Sequence, residues 1–132
     1  GTTHKTCAIV GNSGTLLHSN FGAEIDSHEA VLRINFAPTS KWEKDVGSKT
    51  TYDFSNRENA RRILKSKDKL RESTALFFEV SSPTNRKAMF VPLVKKHPNH
   101  KIHFLHPGFV FRGMDLWFDL KAEVEARRHT KF

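Results

Sequence analysis

A short polar loop near the amino terminus, Gly11-Asn12-Ser13-Gly14-Thr15, contains residue types that can bind a phosphate or a ribose. Its glycines let the backbone approach a ligand closely, and the N–H groups that follow can point at an anion. Asn12 and Ser13 add side-chain donors and acceptors. The loop matches neither G-x-G-x-x-G nor G-x-x-x-x-G-K-[ST]. Taken alone, it is more typical of an ordinary turn after a strand.

A second candidate site follows in the segment Arg33-Ile34-Asn35-Phe36-Ala37-Pro38. Side chains alternate along a strand, so Arg33 and Asn35 share a face opposite Ile34. An asparagine at the carboxyl end of this strand could hydrogen-bond a base or a sugar beside the first loop. The alternative interpretation is an asparagine that caps the turn fixed by Pro38.

Both polar segments follow apolar runs that are typical of strands. Runs rich in β-branched and aromatic residues predict five strands, over 6–10, 30–34, 50–54, 74–80 and 101–105. Three helices are predicted between and after them. One covers Asn56–Leu70 with Asn56 as its N-cap, one opens at Pro83 and is interrupted or kinked by Pro92, and one opens at Pro107.

This alternation of strands and helices predicts one α/β domain over 1–132, with a Rossmann-like, mainly parallel sheet and flanking helices. Open sheets of this kind bind ligands beyond the carboxyl ends of their strands. The loop after the first strand and the end of the second strand are therefore the first places to expect a ligand.

The chain is basic, with 22 Lys and Arg against 14 Asp and Glu and a formal net charge of +8. Such a surplus favours anionic partners: nucleic acid, acidic lipid or a phosphate-bearing small molecule. The basic stretch over 57–71 also contains Glu58 and Asp68, which is typical of a solvated helix face. No run of eighteen apolar residues is present, so we expect no membrane span. Neither an initiating Met nor a signal peptide is found, so we expect a piece of a longer protein.

Cysteine and histidine give weaker signals. Cys7 is the single cysteine: in a reducing compartment we expect a buried small hydrophobe, and in an oxidising one it would need a partner that this chain lacks. Four histidines stand three residues apart, at positions 97, 100, 103 and 106. Pro98 prevents a single helix from carrying them and a strand would alternate their faces, so a surface turn plus a strand is favoured over a metal site.

In combination and in order, these segments resemble the large sialyl motif of eukaryotic sialyltransferases. The resemblance covers about 45 residues and consists of 7–14 (CAIVGNSG), Gly22, 25–28 (IDSH), Val31, Arg33-x-Asn35-x-Ala37-Pro38, and Asp45-Val46-Gly47-Ser48-x-Thr50-Thr51. Downstream, His106-Pro107-x-Phe109 and Trp117 resemble the family's segment before its small sialyl motif.

The resemblance implies a variant of the GT-A glycosyltransferase fold, here incomplete, and an enzyme that moves sialic acid from CMP-sialic acid to a glycan with inversion. Asn12 and Ser13 would hold the phosphate and ribose side of the donor, and Asn35 would contact it from the neighbouring strand. Arg33 is expected to brace its strand. Asp26 and His28 are expected to fix the loop before the second strand.

The resemblance also implies what to expect outside this chain. The small motif and the motif with the family's general-base histidine are expected beyond Phe132, so no catalytic residue is assigned here and the chain alone is expected to be inactive. Cys7 resembles the cysteine that is disulfide-bonded to the small motif, and without that partner it should be a free thiol. The full-length protein would be a type II membrane protein of the Golgi lumen with an amino-terminal anchor, acting on glycoprotein or glycolipid acceptors.

The family chemistry needs no divalent metal, and the chain contains no Asp-x-Asp. CMP-sialic acid carries one phosphate, which backbone donors and helix dipoles could stabilise. Two alternatives stay open. The first is a basic nucleic-acid-binding domain, although no reading module is recognisable. The second is a sialyltransferase-like protein with lost or altered activity.

Overall fold

The structure of the chain is a computed structural model that describes residues 2–67, 70–80 and 82–128. Five strands form one parallel sheet in the order β1-β2-β3-β4-β5, so every strand pairs with the next strand in sequence. The strands are β1 (Cys7–Val10), β2 (Ala30–Ile34), β3 (Tyr52–Ser55), β4 (Thr74–Phe77) and β5 (Ile102–Phe104). The predicted α/β class and parallel sheet are confirmed.

Helices occupy the connections between strands and follow the last one. They are a 3-10 turn (Gly14–Leu16), α1 (Gly22–Ser27), α2 (Glu43–Val46), α3 (Arg57–Lys65), α4 (Pro83–Asn85), a π-helical turn (Arg86–Phe90), α5 (Val91–Lys96) and α6 (Pro107–Arg128). All five predicted strands are found, most of them shorter than predicted. The short helices α1 and α2 are additional to the prediction.

Two features of the predicted helices differ in detail from the structure. Helix α3 begins as predicted after Asn56 but ends at Lys65, so Leu70 lies outside it. Pro92 does not break its helix. The widened π turn precedes it, with the N–H of Val91 donating to the carbonyl of Arg86, and this turn absorbs the irregularity that a proline without an N–H introduces.

One face of the sheet carries the core. A row of paired residues crosses the sheet on this face, namely Val10, Arg33, Asp53, Ala75 and Ile102. A larger apolar cluster joins β4 to α3, the π turn and α5 through Ala60, Ile63, Ala75, Phe77, Met89, Phe90 and Leu93. A smaller one joins Val10 and Val31 to Ile25 of α1. Burial of these side chains is the main stabilising term of the fold.

The opposite face is much less covered. Along each strand, the apolar residues of this face alternate with the buried residues of the other face. Ile9 is exposed, and Leu32, Ile34, Phe54, Leu76 and Phe78 are half-buried. We call these six residues the open face. Phe54 and Phe78 stack on each other there, with ring centroids 4.9 Å apart.

Helices α1 and α2 meet through two glycines. A Cβ atom on Gly22 would lie 2.0 Å from the carbonyl oxygen of Glu43, so only glycine permits this approach. Gly47, which ends α2, has φ 72°, and a Cβ there would lie 2.3 Å from the carboxylate of Asp26. The two helices that flank the polar loops therefore pack with their backbones in direct contact.

Replacing Asn56 by alanine is expected to lower the free energy of unfolding by about 1 kcal/mol, the usual cost of losing an N-cap. The Asn56 side chain accepts a hydrogen bond of 3.0 Å from the backbone N–H of Asn59. Urea denaturation of the variant would measure the loss. Asn56→Asp, which keeps the accepting oxygen, should retain most of the stability, and an equal loss in both variants would contradict the cap.

The histidines at 97 and 100 lie in the turn after α5, and His103 lies in β5, as predicted. The Nε2 atoms of His97 and His100 are buried, and no described residue offers them a hydrogen bond. Burial lowers the pKa of both rings below the ordinary 6.5, and Lys96 beside His97 and His97 beside His100 lower them further. Both rings therefore favour the neutral form in the folded chain.

The chain is expected to lose stability as the pH falls below about 6.5, the ordinary histidine pKa. Because the folded pKa values are lower than the unfolded ones, the unfolded chain binds more protons in this window, and protonation favours unfolding. Urea midpoints at pH 7.5 and 5.2 would show the decrease. The decrease in the urea midpoint should be smaller in the double variant His97→Gln/His100→Gln. It should be unchanged in His103→Gln, because the His103 ring is exposed. A midpoint that does not change between the two pH values would contradict the prediction.

Candidate functional site

The polar loop follows β1 at the carboxyl edge of the sheet, beside the end of β2. Val10 pairs with Arg33, so the chain leaves the two neighbouring strands at the same level. A pocket of about 160 Å³ lies between the two exit loops and α2. It is lined by Gly11, Asn12, Ser13, Gly14, Leu16, Leu17, Arg33, Ala37, Pro38, Trp42 and Val46. This is the position at which parallel α/β sheets bind ligands.

Asn12 and Ser13 differ in how many of their hydrogen-bonding groups already have a partner within the chain. The Ser13 hydroxyl oxygen accepts hydrogen bonds from the backbone N–H (3.3 Å) and the hydroxyl (3.2 Å) of Thr15. Ser13 thereby caps the 3-10 turn. Its own proton remains available for donation. Asn12 is exposed, and within the described parts of the chain its amide makes no hydrogen bond. Asn12 can therefore offer both a donor and an acceptor to a ligand.

Asn35 also lies at this edge, two residues beyond the paired position, but it does not line the pocket. Its side-chain oxygen accepts a 3.4 Å hydrogen bond from the hydroxyl of Ser55, at the end of β3. Asn35 and Phe36 both have positive φ, 59° and 55°, and the N–H of Ala37 donates to the carbonyl of Ile34. This is the pattern of a type I′ turn, in which asparagine is favoured and phenylalanine is strained.

Arg33 braces its strand, as predicted. It is buried, and its guanidinium donates to the carbonyl of Lys49 and to the hydroxyl of Thr50, at 2.8–3.0 Å. Burial lowers its pKa, as does the charge of Arg71. The guanidinium therefore holds the segment before β3, while the side chain forms part of the pocket wall.

Asp26 has a different role from the predicted one. Its carboxylate accepts hydrogen bonds from the backbone N–H groups of Ser48 and Lys49, at 2.8 and 2.9 Å, so it fixes the loop before β3 and not the loop before β2. Burial raises its pKa, but these donors outweigh burial and lower it overall. His28 does fix the segment before β2, with Nδ1 2.9 Å from the carbonyl oxygen of Glu24.

Arg71 also differs from the prediction. It does not belong to a solvated helix face. It forms an ion pair of 2.9 Å with the fully buried Asp53, which also accepts a hydrogen bond from Ser73. Its Nη2 donates to the carbonyl of Ala37 at 2.9 Å, and its guanidinium lies 5.9 Å from the centre of the Phe36 ring. Arg71 thus connects the sheet interior to the turn that borders the pocket.

Trp42 is an aromatic residue of the pocket that the sequence pattern did not predict. Its indole is 42% exposed and lines the pocket. It precedes α2, and its carbonyl accepts from the N–H groups of Asp45 and Val46 at 2.9 Å. Neither spacing nor periodicity marks Trp42, because it lies in an irregular segment between Pro38 and a one-turn helix.

Cys7 is a free, exposed thiol. The buried position considered for a reducing compartment is therefore wrong. Cys7 begins the edge strand β1 and alternates with the buried Val10, so its side chain lies on the side of Ile9. Within residues 2–67, 70–80 and 82–128, no three or more His, Cys, Asp or Glu side chains are arranged to hold a metal ion.

A larger cavity of about 810 Å³ lies away from the polar loop, between α5 and the segment that joins β5 to α6. Its wall is mainly apolar, with Phe90, Val91, Val94 and Phe104, and Arg86, Lys95 and His106 also line it. It contains none of the residues predicted to bind a ligand. The smaller polar pocket, by contrast, is lined by Asn12 and Ser13, two of the residues that the sequence predicts to bind a ligand.

The parallel sheet, its flanking helices and the polar pocket at its carboxyl edge define an open α/β domain. Residues 1–90 match the sequence model of glycosyltransferase family 29 (sialyltransferase). The chain belongs to this family.

Known sialyltransferases are similar to the chain over most of its length. It is 38% identical over 120 residues to CMP-N-acetylneuraminate-beta-galactosamide-alpha-2,3-sialyltransferase 1 of Sus scrofa, covering 86% of this chain and 35% of the relative. It is 36% identical over 129 residues to beta-galactoside alpha-2,6-sialyltransferase 2 of Bos taurus, covering 85% and 26%. The chain thus spans about a third or less of these relatives.

The fold agrees with solved structures of the family. A crystal structure of a mammalian sialyltransferase matches with a TM-score of 0.64 and 32% identity, covering 86% of this chain and 44% of that one. A structure of a mammalian sialyltransferase in complex with Gal-beta-1-3GalNAc-ortho-nitrophenol matches with a TM-score of 0.59, 30% identity and the same coverage. The sheet and its helices are therefore a GT-A-like sialyltransferase fold.

Proposed function

We propose that the chain is the donor-binding part of a sialyltransferase that transfers sialic acid from CMP-sialic acid to a glycan, with inversion at the anomeric carbon. The observation that supports this most directly is the free Asn12 amide beside Ser13 in a pocket at the carboxyl edge of β1 and β2. The two named relatives are an alpha-2,3- and an alpha-2,6-sialyltransferase. The name of the first includes its donor, CMP-N-acetylneuraminate.

In this proposal Asn12 and Ser13 bind the phosphate and ribose of the donor. The Ser13 hydroxyl, oriented by Thr15, donates to an oxygen of the nucleotide, and the Asn12 amide both donates and accepts. Asn35, which does not line the pocket itself, contacts the donor from the neighbouring loop in this proposal. Its present hydrogen bond to Ser55 is long, at 3.4 Å, so the amide can exchange that partner for a nucleotide group at small cost.

We propose that donor binding needs no metal ion. The single phosphate of the donor is stabilised by the N–H groups of the polar loop, and the excess of basic residues raises the local concentration of an anionic ligand. CMP binding that is unchanged by EDTA would support this part of the proposal, and loss of binding restored by a divalent cation would contradict it.

Asn12→Ala is expected to weaken CMP binding about 10- to 100-fold, because hydrogen bonds to charged groups contribute roughly 1.5–3 kcal/mol. Chemical-shift titration by NMR, or calorimetry, would measure the loss. Asn99→Ala removes an exposed asparagine in the turn before β5 and should bind CMP like the wild-type chain. Equal affinity of the Asn12 variant and the wild-type chain would remove Asn12 from the site.

The same titration distinguishes the nucleic-acid alternative. RNA binding that falls steeply with salt and is not displaced by CMP would favour a basic nucleic-acid-binding domain. Displacement of any bound polyanion by CMP would favour the sialyltransferase.

We further propose that the protein acts in the Golgi lumen on glycoprotein or glycolipid acceptors, held there by an amino-terminal anchor. The support is family membership, since sialyltransferases are typically Golgi enzymes. No helix in the described part of the chain is both long enough and apolar enough to cross a membrane. A tagged full-length protein that is found outside the Golgi would contradict the proposed location.

A further inference from the structure

Trp42 is the one aromatic side chain among the residues that line the polar pocket. It is 42% exposed, and within the described parts of the chain no aromatic ring stacks on its indole, no cation lies over it and no acceptor binds its N–H. Trp117, the other tryptophan of the sequence, packs edge-on against the Phe118 ring with 5.1 Å between centroids. The Lys121 ammonium also lies 5.3 Å from the Trp117 ring centre. The ring and the N–H of Trp42 are therefore available to a ligand.

The backbone of Trp42, by contrast, is fixed on both sides. Its N–H donates to the carbonyl of Thr39 at 2.9 Å, and its carbonyl accepts from the N–H groups of Asp45 and Val46 at 2.9 Å. These bonds connect Trp42 to the segment after β2 and to the first turn of α2, which in turn packs against α1 at Gly22. An available side chain on a fixed backbone is a preorganised surface, so little conformational freedom is lost when a ligand binds to it.

The pocket combines this surface with two kinds of lining. Asn12 and Ser13 supply hydrogen-bonding groups, and the apolar lining residues are Leu16, Leu17, Ala37, Pro38, Trp42 and Val46. At about 160 Å³, the pocket is smaller than the roughly 300–1,000 Å³ of sites that enclose a whole small-molecule ligand. It can therefore enclose one part of a nucleotide sugar, while the rest lies across its rim.

The chemistry of the proposed donor indicates which part this is. Cytosine is the one planar aromatic group of CMP-sialic acid, whereas its ribose, phosphate and sialic acid are polar and not flat. Bases stack on aromatic side chains through their π faces, and this contact does not depend on the phosphate. An exposed indole with an apolar surround thus matches the base, and the polar loop matches the groups attached to it.

We propose that Trp42 is the base-binding residue of the donor site. The cytosine ring stacks on the indole, and Asn12 and Ser13 hold the ribose and the phosphate. The inference rests on the proposed function and adds to it the residue that senses the base. Affinity for the nucleotide then has two separable parts, one carried by the polar loop and one by Trp42.

The fluorescence of Trp42 provides a direct test. In the variant Trp117→Phe, Trp42 is the one remaining tryptophan, and CMP should quench its emission, excited at 295 nm, in a saturable way. Ribose 5-phosphate, which lacks the base, should not quench it. In the variant Trp42→Phe the emission comes from Trp117 alone, and CMP should leave it unchanged. CMP that binds by NMR titration without quenching Trp42 would overturn the assignment.

Affinities separate a contact to the base from a general effect on the pocket. Trp42→Ala should weaken CMP binding about 5- to 100-fold, as expected for the loss of one base–aromatic stack. The same variant should bind ribose 5-phosphate like the wild-type chain, and Trp42→Phe should retain most of the CMP affinity. An equal loss for both ligands, or no loss for CMP, would overturn the role of Trp42 and leave the donor site in place. A wild-type chain that does not bind CMP would overturn both proposals.

Discussion

Replacing Arg71 by methionine is expected to lower the free energy of unfolding by about 3 kcal/mol. The Asp53 carboxylate is fully buried, and without Arg71 the hydrogen bond from Ser73 would be the one it keeps among the described residues. Removing one partner of a buried ion pair costs roughly 3–5 kcal/mol, because the other charge is left without compensation. The lower end applies here, since 27% of the Arg71 side chain is exposed. Urea denaturation would measure the effect.

A matched control uses the exposed pair between Arg61 and Glu58 on α3, whose side chains are 47% and 69% exposed. Arg61→Met should change the stability by no more than about 0.5 kcal/mol, the usual range for surface pairs within a helix. The double variant Asp53→Leu/Arg71→Met should recover much of the stability, because neither charge is then left buried. Losses of similar size at positions 61 and 71 would contradict the assignment.

Gly22→Ala is expected to lower the free energy of unfolding by about 3 kcal/mol, the upper end of the usual cost of overpacking. The new Cβ would lie 2.0 Å from the carbonyl oxygen of Glu43 and 2.6 Å from that of Lys44. Both atoms belong to backbone, so α1 and α2 would have to separate. Trp42 and Val46 at α2 would move with it, and CMP affinity should fall together with the stability.

Gly14→Ala is the control for this change. Gly14 lies in the polar loop, and a Cβ there would meet nothing within 4 Å. Thermal or urea denaturation should show a difference of about 0.5 kcal/mol or less, as for most surface substitutions. A Gly22 variant as stable as the Gly14 variant would show that the two helices separate without cost.

The sequence predicted the sheet better than the connections. Alternation and β-branched content located all five strands, and the Ala30–Ile34 prediction agrees with β2 residue for residue. The polar loop after β1 is placed at the carboxyl edge, where the general behaviour of parallel sheets puts ligand sites. These features depend on local patterns, which a single sequence contains.

Features that depend on distant contacts were not predictable in the same way. The partner of Arg71 is 18 residues away in sequence, so the local excess of charge suggested a solvated surface where the fold makes a buried ion pair. Helices α1 and α2 have six and four residues, too few to show a 3.6-residue period. The position of the Asn35 amide is also not encoded in the strand pattern, since the left-handed turn at Asn35 directs it toward Ser55.

Arg71 also links stability to the pocket. Its hydrogen bond to the Ala37 carbonyl and its position over the Phe36 ring hold the turn that forms one side of the pocket. The strained positive φ of Phe36 is tolerated because its ring packs against the buried cluster around Phe77. The shape of the pocket is therefore maintained by side chains outside it.

The sequential strand order has a consequence for how this chain is made. Because each strand's partner is the strand that precedes it, a nascent chain leaving the ribosome can add β2 to β1, then β3 to β2, and so on, without waiting for a distant carboxyl-terminal segment. Such an arrangement keeps contact order low for a parallel sheet and favours rapid folding. All residues that line the polar pocket lie within positions 11–46, so a nascent chain brings them together before it adds Arg71, which then braces the turn at Ala37.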